Sequence, residues 1–185
     1  MRSDPLADFV RRLEGICARS AAGEEAVLGE VRGAMQALVA TDDWLPEPFA
    51  RPDPERYRQY LLHADPDDRF CVVSFVWGPG QQTPIHDHCA WGVIGMLRGA
   101  EVTTSFSESA SGMQQGEELT LQPGDVAVVG PVVGDIHKVR NAYADRVSIS
   151  IHAYGTNIGK QIRHVFDAQS GARKDFVSGY SNVAA

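Results

Sequence analysis

From Tyr57 onward, short runs rich in β-branched and aromatic residues alternate with Gly, Pro and Asp punctuation, and this rhythm constrains the fold more than any other feature. The runs cover residues 70–77, 91–97, 100–106, 118–121, 126–129, 138–141 and 147–154. Pro79-Gly80, Arg98-Gly99, Ser111-Gly112, Pro123-Gly124-Asp125 and Gly134-Asp135 stand between them. Many short strands at close spacing predict an all-β sandwich or barrel rather than alternating βαβ units.

The first forty residues have a different period. Leu6, Phe9, Val10, Leu13, Ile16 and Cys17 recur three or four apart, as do Val27, Val31, Ala34, Met35 and Leu38, with Gly23 between the two stripes. These are two amphipathic helices that cover one side of a core. Asp4-Pro5 is a cap and first-turn pair for the first. Residues 41–56, with prolines at 46, 48, 52 and 54, form a connection.

A chain of 185 residues is one domain's worth and buries enough surface to need no disulfide framework. Its three cysteines, Cys17, Cys71 and Cys89, are irregularly spaced, which suits reduced thiols and a cytoplasmic location. The stretch Met1–Pro5 has no basic segment followed by an apolar run, so no secretory leader is expected. The net charge of −7 argues against nucleic acid as a partner, and the longest nearly apolar run, 70–77, is too short to span a bilayer.

The chemistry is carried by histidines. In Pro84-Ile85-His86-Asp87-His88 two imidazoles stand two residues apart, and in a strand such residues share a face. A lone His-x-His pair is weak, because packing histidines are common. A third, His137, follows the strand-turn-strand pattern of 121–126. Three imidazoles bind divalent first-row metals, and ligand type alone leaves Fe, Ni, Cu and Zn open.

Gly80, His86, His88 and Gly99, followed by Gly124, Pro131, Gly134, His137 and Asn141, resemble the paired motifs of the cupin superfamily, with about one extra residue on either side of Pro131. That resemblance implies an antiparallel β-barrel (jelly roll) with N-terminal α-helices. It divides one domain into a helical segment over 1–45 and a barrel over 57–170. Most cupins add a glutamate ligand shortly after His-x-His. Here Gly92 stands in that slot, which leaves three neutral imidazoles and a metal that keeps its full charge.

From about Tyr57 to Phe166 the chain further resembles the cysteine dioxygenase family of cupins, the thiol dioxygenases. The resemblance implies Fe(II) on His86, His88 and His137, with Ser150, His152 and Tyr154 as a hydrogen-bonded row that brings a phenol near the metal. It implies oxidation of a small thiol carboxylate by dioxygen to a sulfinic acid. In cysteine-specific members an arginine two residues after a tyrosine clamps the substrate carboxylate; after Tyr57 that position is Gln59. The glutamine version is similar to bacterial 3-mercaptopropionate dioxygenases, in which a later arginine takes the carboxylate, and Arg163 matches by spacing. Animal members crosslink a cysteine to the active-site tyrosine. Gly92 occupies that position, so Tyr154 is expected to be an unmodified phenol.

The substrate expectation is therefore 3-mercaptopropionate, with cysteine and mercaptosuccinate open. A non-enzymatic, small-molecule-binding cupin is the alternative of another class. The sequence does not specify an oligomeric state. Bland roles remain for His63 as a loop residue, His164 as surface or packing, Trp77 and Trp91 as pocket wall, and Asp87 and Asp135 as groups facing away or held in turns. The polar tail after Gly171, ending in Ala184 and Ala185, has the composition of a segment that frays.

Overall fold

The computed structural model describes residues 4–19 and 23–183; the opening residues 1–3 and the final alanines at 184 and 185 lie outside it. Two helices, α1 (Pro5–Ala18) and α2 (Glu24–Leu38), precede eleven strands. In chain order these are β1 (Arg58–Ala64), β2 (Cys71–Trp77), β3 (Ile85–His86), β4 (Gly92–Arg98), β5 (Glu101–Ser109), β6 (Gly112–Leu121), β7 (Val126–Val129), β8 (His137–Asn141), β9 (Ser148–Tyr154), β10 (Arg163–Phe166) and β11 (Arg173–Phe176). They form two antiparallel sheets, in the orders β1-β2-β9-β4-β7 and β11-β10-β3-β8-β5-β6. This is a cupin-type jelly roll with N-terminal helices.

α1 begins where the Asp4 carboxylate accepts from the backbone N–H groups of Leu6 and Ala7, with Pro5 in the first turn. α2 lays Val27, Leu28, Val31, Ala34, Met35 and Leu38 against the outer face of the five-stranded sheet. The fit is close. A Cβ at Gly95 in β4 would stand 2.7 Å from the Met35 side chain.

The central strand β9 is buried on both faces. Ile149, Ile151 and Ala153 join the helical core, while the alternate residues Ser148, Ser150, His152 and Tyr154 point into the barrel. The helices thus fix the back of the strand whose front faces the candidate site.

Asn141 staples the barrel end. Its amide nitrogen donates to the carbonyls of Trp77 (3.1 Å), Gly78 (3.0 Å) and Arg146 (2.9 Å), and its carbonyl oxygen accepts from Tyr143 N–H and the Ser148 hydroxyl. A motif asparagine at this position ties the β2–β3 and β8–β9 connections together.

Several local expectations are revised. His63 lies inside β1 rather than a loop, its ring stacked on Phe70. The strand expected at 118–121 begins at Gly112, because β6 pairs with β5 along most of its length. Within the described residues, the tail as far as Val183 is hydrogen-bonded to the barrel. β11 pairs with β10, Ser181 N–H donates to the Gln59 carbonyl, and Asn182 bonds both the N–H and the carbonyl of Leu61. Polar composition here marks a segment that saturates the edge of β1. None of the described helices is long and apolar enough to cross a membrane.

Candidate metal centre and its cavity

Two register matches assemble the site. β3 pairs with β8 so that His86 stands opposite His137, and β10 pairs with β3 so that Val165 stands opposite His86. β3 is only two residues long, so His88 does not share its strand as alternation predicted. The chain turns instead. Asp87 N–H donates to the His164 carbonyl and Cys89 takes φ +54°, which swings His88 inward.

His86, His88 and His137 are buried, and one ligand nitrogen from each lies within 4.8 Å of the others. Their ring centroids are 4.8–5.0 Å apart. The outward nitrogens are all engaged: His86 Nδ1 with the Pro84 carbonyl at 3.1 Å, His88 Nδ1 with Asp135 Oδ1 at 2.9 Å, and His137 Nδ1 with Thr103 Oγ1 at 2.9 Å. A carbonyl and a carboxylate only accept, so Nδ1 of His86 and of His88 carries the proton and Nε2 offers its lone pair inward. Thr103 permits the same tautomer at His137. Burial pulls the pKa of His86 down to about 3 and that of His137 well below the ordinary imidazole value, the neighbouring rings adding to both. Neutral imidazoles with oriented outer hydrogen bonds fit a divalent metal.

Asp135 is therefore not a bystander. It also accepts from the backbone N–H groups of His88 (3.1 Å) and Cys89 (2.9 Å). Burial alone would raise its pKa, but these donors hold the carboxyl below its ordinary value. Its position two residues before His137 was the available signal. Thr103 had none, since it reaches His137 only through the pairing of β5 with β8. Asp87 does face away from the cavity: it accepts from the His164 backbone N–H at 2.8 Å and engages His164 Nδ1 at 2.7 Å, so His164 is pinned rather than loose.

A cavity of about 220 Å³ opens beside the three histidines. Tyr57, Gln59, Phe75, Trp77, His152, Tyr154, Arg163 and Ser178 are among its walls. Ser150 stands behind His152 and outside the wall. The row is continuous: Trp77 Nε1 donates to Ser150 Oγ (3.1 Å), Ser150 Oγ meets His152 Nε2 (2.8 Å), and His152 Nδ1 meets the Tyr154 hydroxyl (2.8 Å). Trp77, read as wall, is thus also the first donor of this row. Burial pushes the Tyr154 phenol far above its ordinary pKa and His152 well below its own, so both are neutral.

Gly92 stands opposite Tyr154 in the β4–β9 ladder, and a Cβ there would lie 2.9 Å from the Tyr154 ring and 2.8 Å from Val129. No side chain fits between the tyrosine and the sheet. Cys89 is exposed in its bend, 3.8 Å from His164 Nδ1.

Arg163 opens β10 and is only 5% exposed. One terminal nitrogen donates to Ser178 Oγ at 2.7 Å, its guanidinium carbon lies 4.5 Å over the Phe176 ring, and Nε has no partner. Among the described residues no carboxylate pairs with it, and no Asp or Glu lines the cavity. Burial lowers its pKa, which expresses the cost of an uncompensated cation. Gln59 lines the cavity as well, its amide Nε2 donating to the Gly179 carbonyl at 3.1 Å.

The profile of the family described as cysteine dioxygenase type I matches residues 1–167. The chain is 27% identical to cysteine dioxygenase type 1 of Bos taurus, over 93% of this chain and 84% of that one. It is also 27% identical to the Homo sapiens protein, over 90% and 80%. Among solved structures, a protein with a double-stranded beta-helix domain from Klebsiella pneumoniae aligns at a TM-score of 0.48 and 16% identity, covering 71% of this chain and 87% of that one.

Proposed function

The chain belongs to the cysteine dioxygenase type I family and is a metal-dependent thiol dioxygenase, and from that premise we propose that it converts 3-mercaptopropionate with dioxygen to the sulfinic acid at an iron(II) held by His86, His88 and His137. The observation that carries the substrate class is the charge of the cavity wall: one buried cation, Arg163, and no anion. Such a wall favours a carboxylate and offers nothing to neutralise an ammonium group.

Iron(II) held by His86, His88 and His137 would supply the activation of thiol and dioxygen. The protein's own groups do the rest. Arg163, held by Ser178 and Phe176, takes the carboxylate through two parallel N–H donors. That fixes the sulfur at one distance from the three histidines. Tyr154, oriented by His152 and Ser150, presents its hydroxyl to the reacting sulfur or oxygen. Phe75, whose ring centroid lies 4.2 Å from that of His152, and Trp77 keep water from the row. Both oxygen atoms end on sulfur, and the thiol supplies the electrons. At about 220 Å³ the cavity lies below the size range of drug-like ligand sites and suits a substrate of a few heavy atoms.

The test is anaerobic loading with iron(II), then oxygen uptake and sulfinate formation with 3-mercaptopropionate and cysteine in parallel. A higher kcat/KM for 3-mercaptopropionate is expected. Preferential turnover of cysteine would overturn the substrate assignment.

A further inference from the structure

At the far end of the Tyr154–His152–Ser150 row, away from the cavity, sits a carboxyl group that the reading above does not use. Glu101 opens β5 and has no solvent exposure. Neither of its oxygens makes a hydrogen bond of ordinary geometry, although the Ser150 hydroxyl and the Trp77 indole are close enough to lower its pKa. A buried carboxyl without full partners is costly and persists only where the surroundings hold it. It lies on the wall of a second cavity of about 230 Å³, together with Ile94, Thr103, Glu117 and His137.

We propose that Glu101 is the positioning residue that closes this row, and that its ionisation sets the direction in which the row's hydrogen bonds run. The proton count leaves two arrangements. Ser150 Oγ already accepts from Trp77 Nε1. When Glu101 is neutral, its O–H donates to Ser150 Oγ, the Ser150 O–H donates to His152 Nε2, His152 Nδ1–H donates to the Tyr154 oxygen, and the Tyr154 O–H is free to donate into the cavity. When Glu101 is ionised it can only accept, and it takes the Ser150 O–H. His152 Nε2–H then donates to Ser150 Oγ, Tyr154 O–H donates to His152 Nδ1, and Tyr154 shows the cavity only lone pairs.

The two arrangements differ by one proton. A proton entering at Tyr154 shifts each hydrogen along the row by one bond and ends on Glu101, with no group left charged between them. On the proposed thiol reading, which this consequence rests on, the substrate thiol becomes a thiolate on binding, and the row gives its proton a destination.

The titratable groups near Glu101 come from three elements: Tyr154 on β9, His137 on β8, and Glu117 on β6 across the second cavity. Its ladder partners on β8 and β6 are Asn141 and Leu121, which do not titrate. No basic side chain among the described residues acts on it. Burial pushes its pKa up to about 7, against the pull of Ser150 and Trp77, so both arrangements are populated near neutral pH.

The test is the tautomer of His152, read from imidazole nitrogen chemical shifts of ¹⁵N-histidine-labelled, zinc-loaded full-length protein between pH 5.5 and 9. The expected result is a change from the Nδ1–H form at low pH to the Nε2–H form at high pH, with a midpoint near Glu101's own titration. Glu101→Gln should hold the Nδ1–H form throughout. Ser150→Ala should uncouple the tautomer from Glu101 if the glutamine variant does not fold. A single wild-type tautomer across the range, or an unchanged transition in Glu101→Gln, would overturn the proposal. The readout needs no turnover, so a protein that switches its tautomer yet oxidises no thiol would sink only the catalytic reading.

Discussion

Replacing Arg163 with methionine separates substrate recognition from folding. Methionine keeps the length and apolar contact of the side chain but removes the charge and every donor. A carboxylate clamped in a dry cavity by a guanidinium is lost with its partner at about 3 kcal/mol, the low end for breaking a buried charge pair. That corresponds to about 100-fold in kcat/KM for a thiol carboxylate. A neutral thiol such as ethanethiol makes no use of the guanidinium and should lose less than about threefold. Stability should move the other way, or not at all. Among the described residues Arg163 is buried without a carboxylate partner, so its removal relieves a desolvation cost. Against that stand only the Ser178 hydrogen bond and the Phe176 contact, each about 1 kcal/mol. The assay is steady-state oxygen uptake for both thiols beside a thermal melt of the ligand-free protein. Equal losses for the two thiols, or a large drop in Tm without selectivity, would refute the argument that this cation waits for the substrate's acid group.

Two further outcomes follow from other contacts. Asp135→Asn keeps the size of the side chain but weakens the hold on the His88 Nδ1–H, and metal affinity measured by chelator competition should fall 10–100-fold, by the usual effect of such outer partners. Asn141→Ala removes two N–H donors shared among the Trp77, Gly78 and Arg146 carbonyls, at about 1 kcal/mol each, about 2 kcal/mol in all, and Tm should drop by roughly 4–8 °C in calorimetry.

Much of the barrel could be read from the sequence because punctuation and alternation are local. The runs at 126–129 and 147–154 became strands almost residue for residue, and the split faces of β9 follow directly from Ser-Ile-Ser-Ile-His-Ala-Tyr. What escaped was set by long-range pairing. β1, β10 and β11 have mixed, polar sequences that become strands because β2, β3 and then β10 offer them an edge. The clustering of His86, His88 and His137 was legible as a motif, but their outer partners were not. Thr103 and Pro84 carry no signature, and Asp135 looked like a turn residue because Gly134 precedes it. Glu101 was invisible for a related reason. In sequence it is a charged residue at the start of a strand after the Arg98-Gly99 turn, and only its long-range placement between β8 and β6 takes it out of water.

The last stretch of chain beyond β11 has a part larger than its length. Ser178 braces Arg163, the Gly179 carbonyl accepts from the Gln59 amide, and Ser181 and Asn182 stitch the same stretch to β1. If Arg163 takes the substrate's acid group as proposed, ligand choice would be partly encoded outside the barrel, in a strap that wraps its rim. Two relatives with matching metal ligands but different straps would be expected to prefer different acids, and grafting the strap alone would be the shortest route to changing that preference.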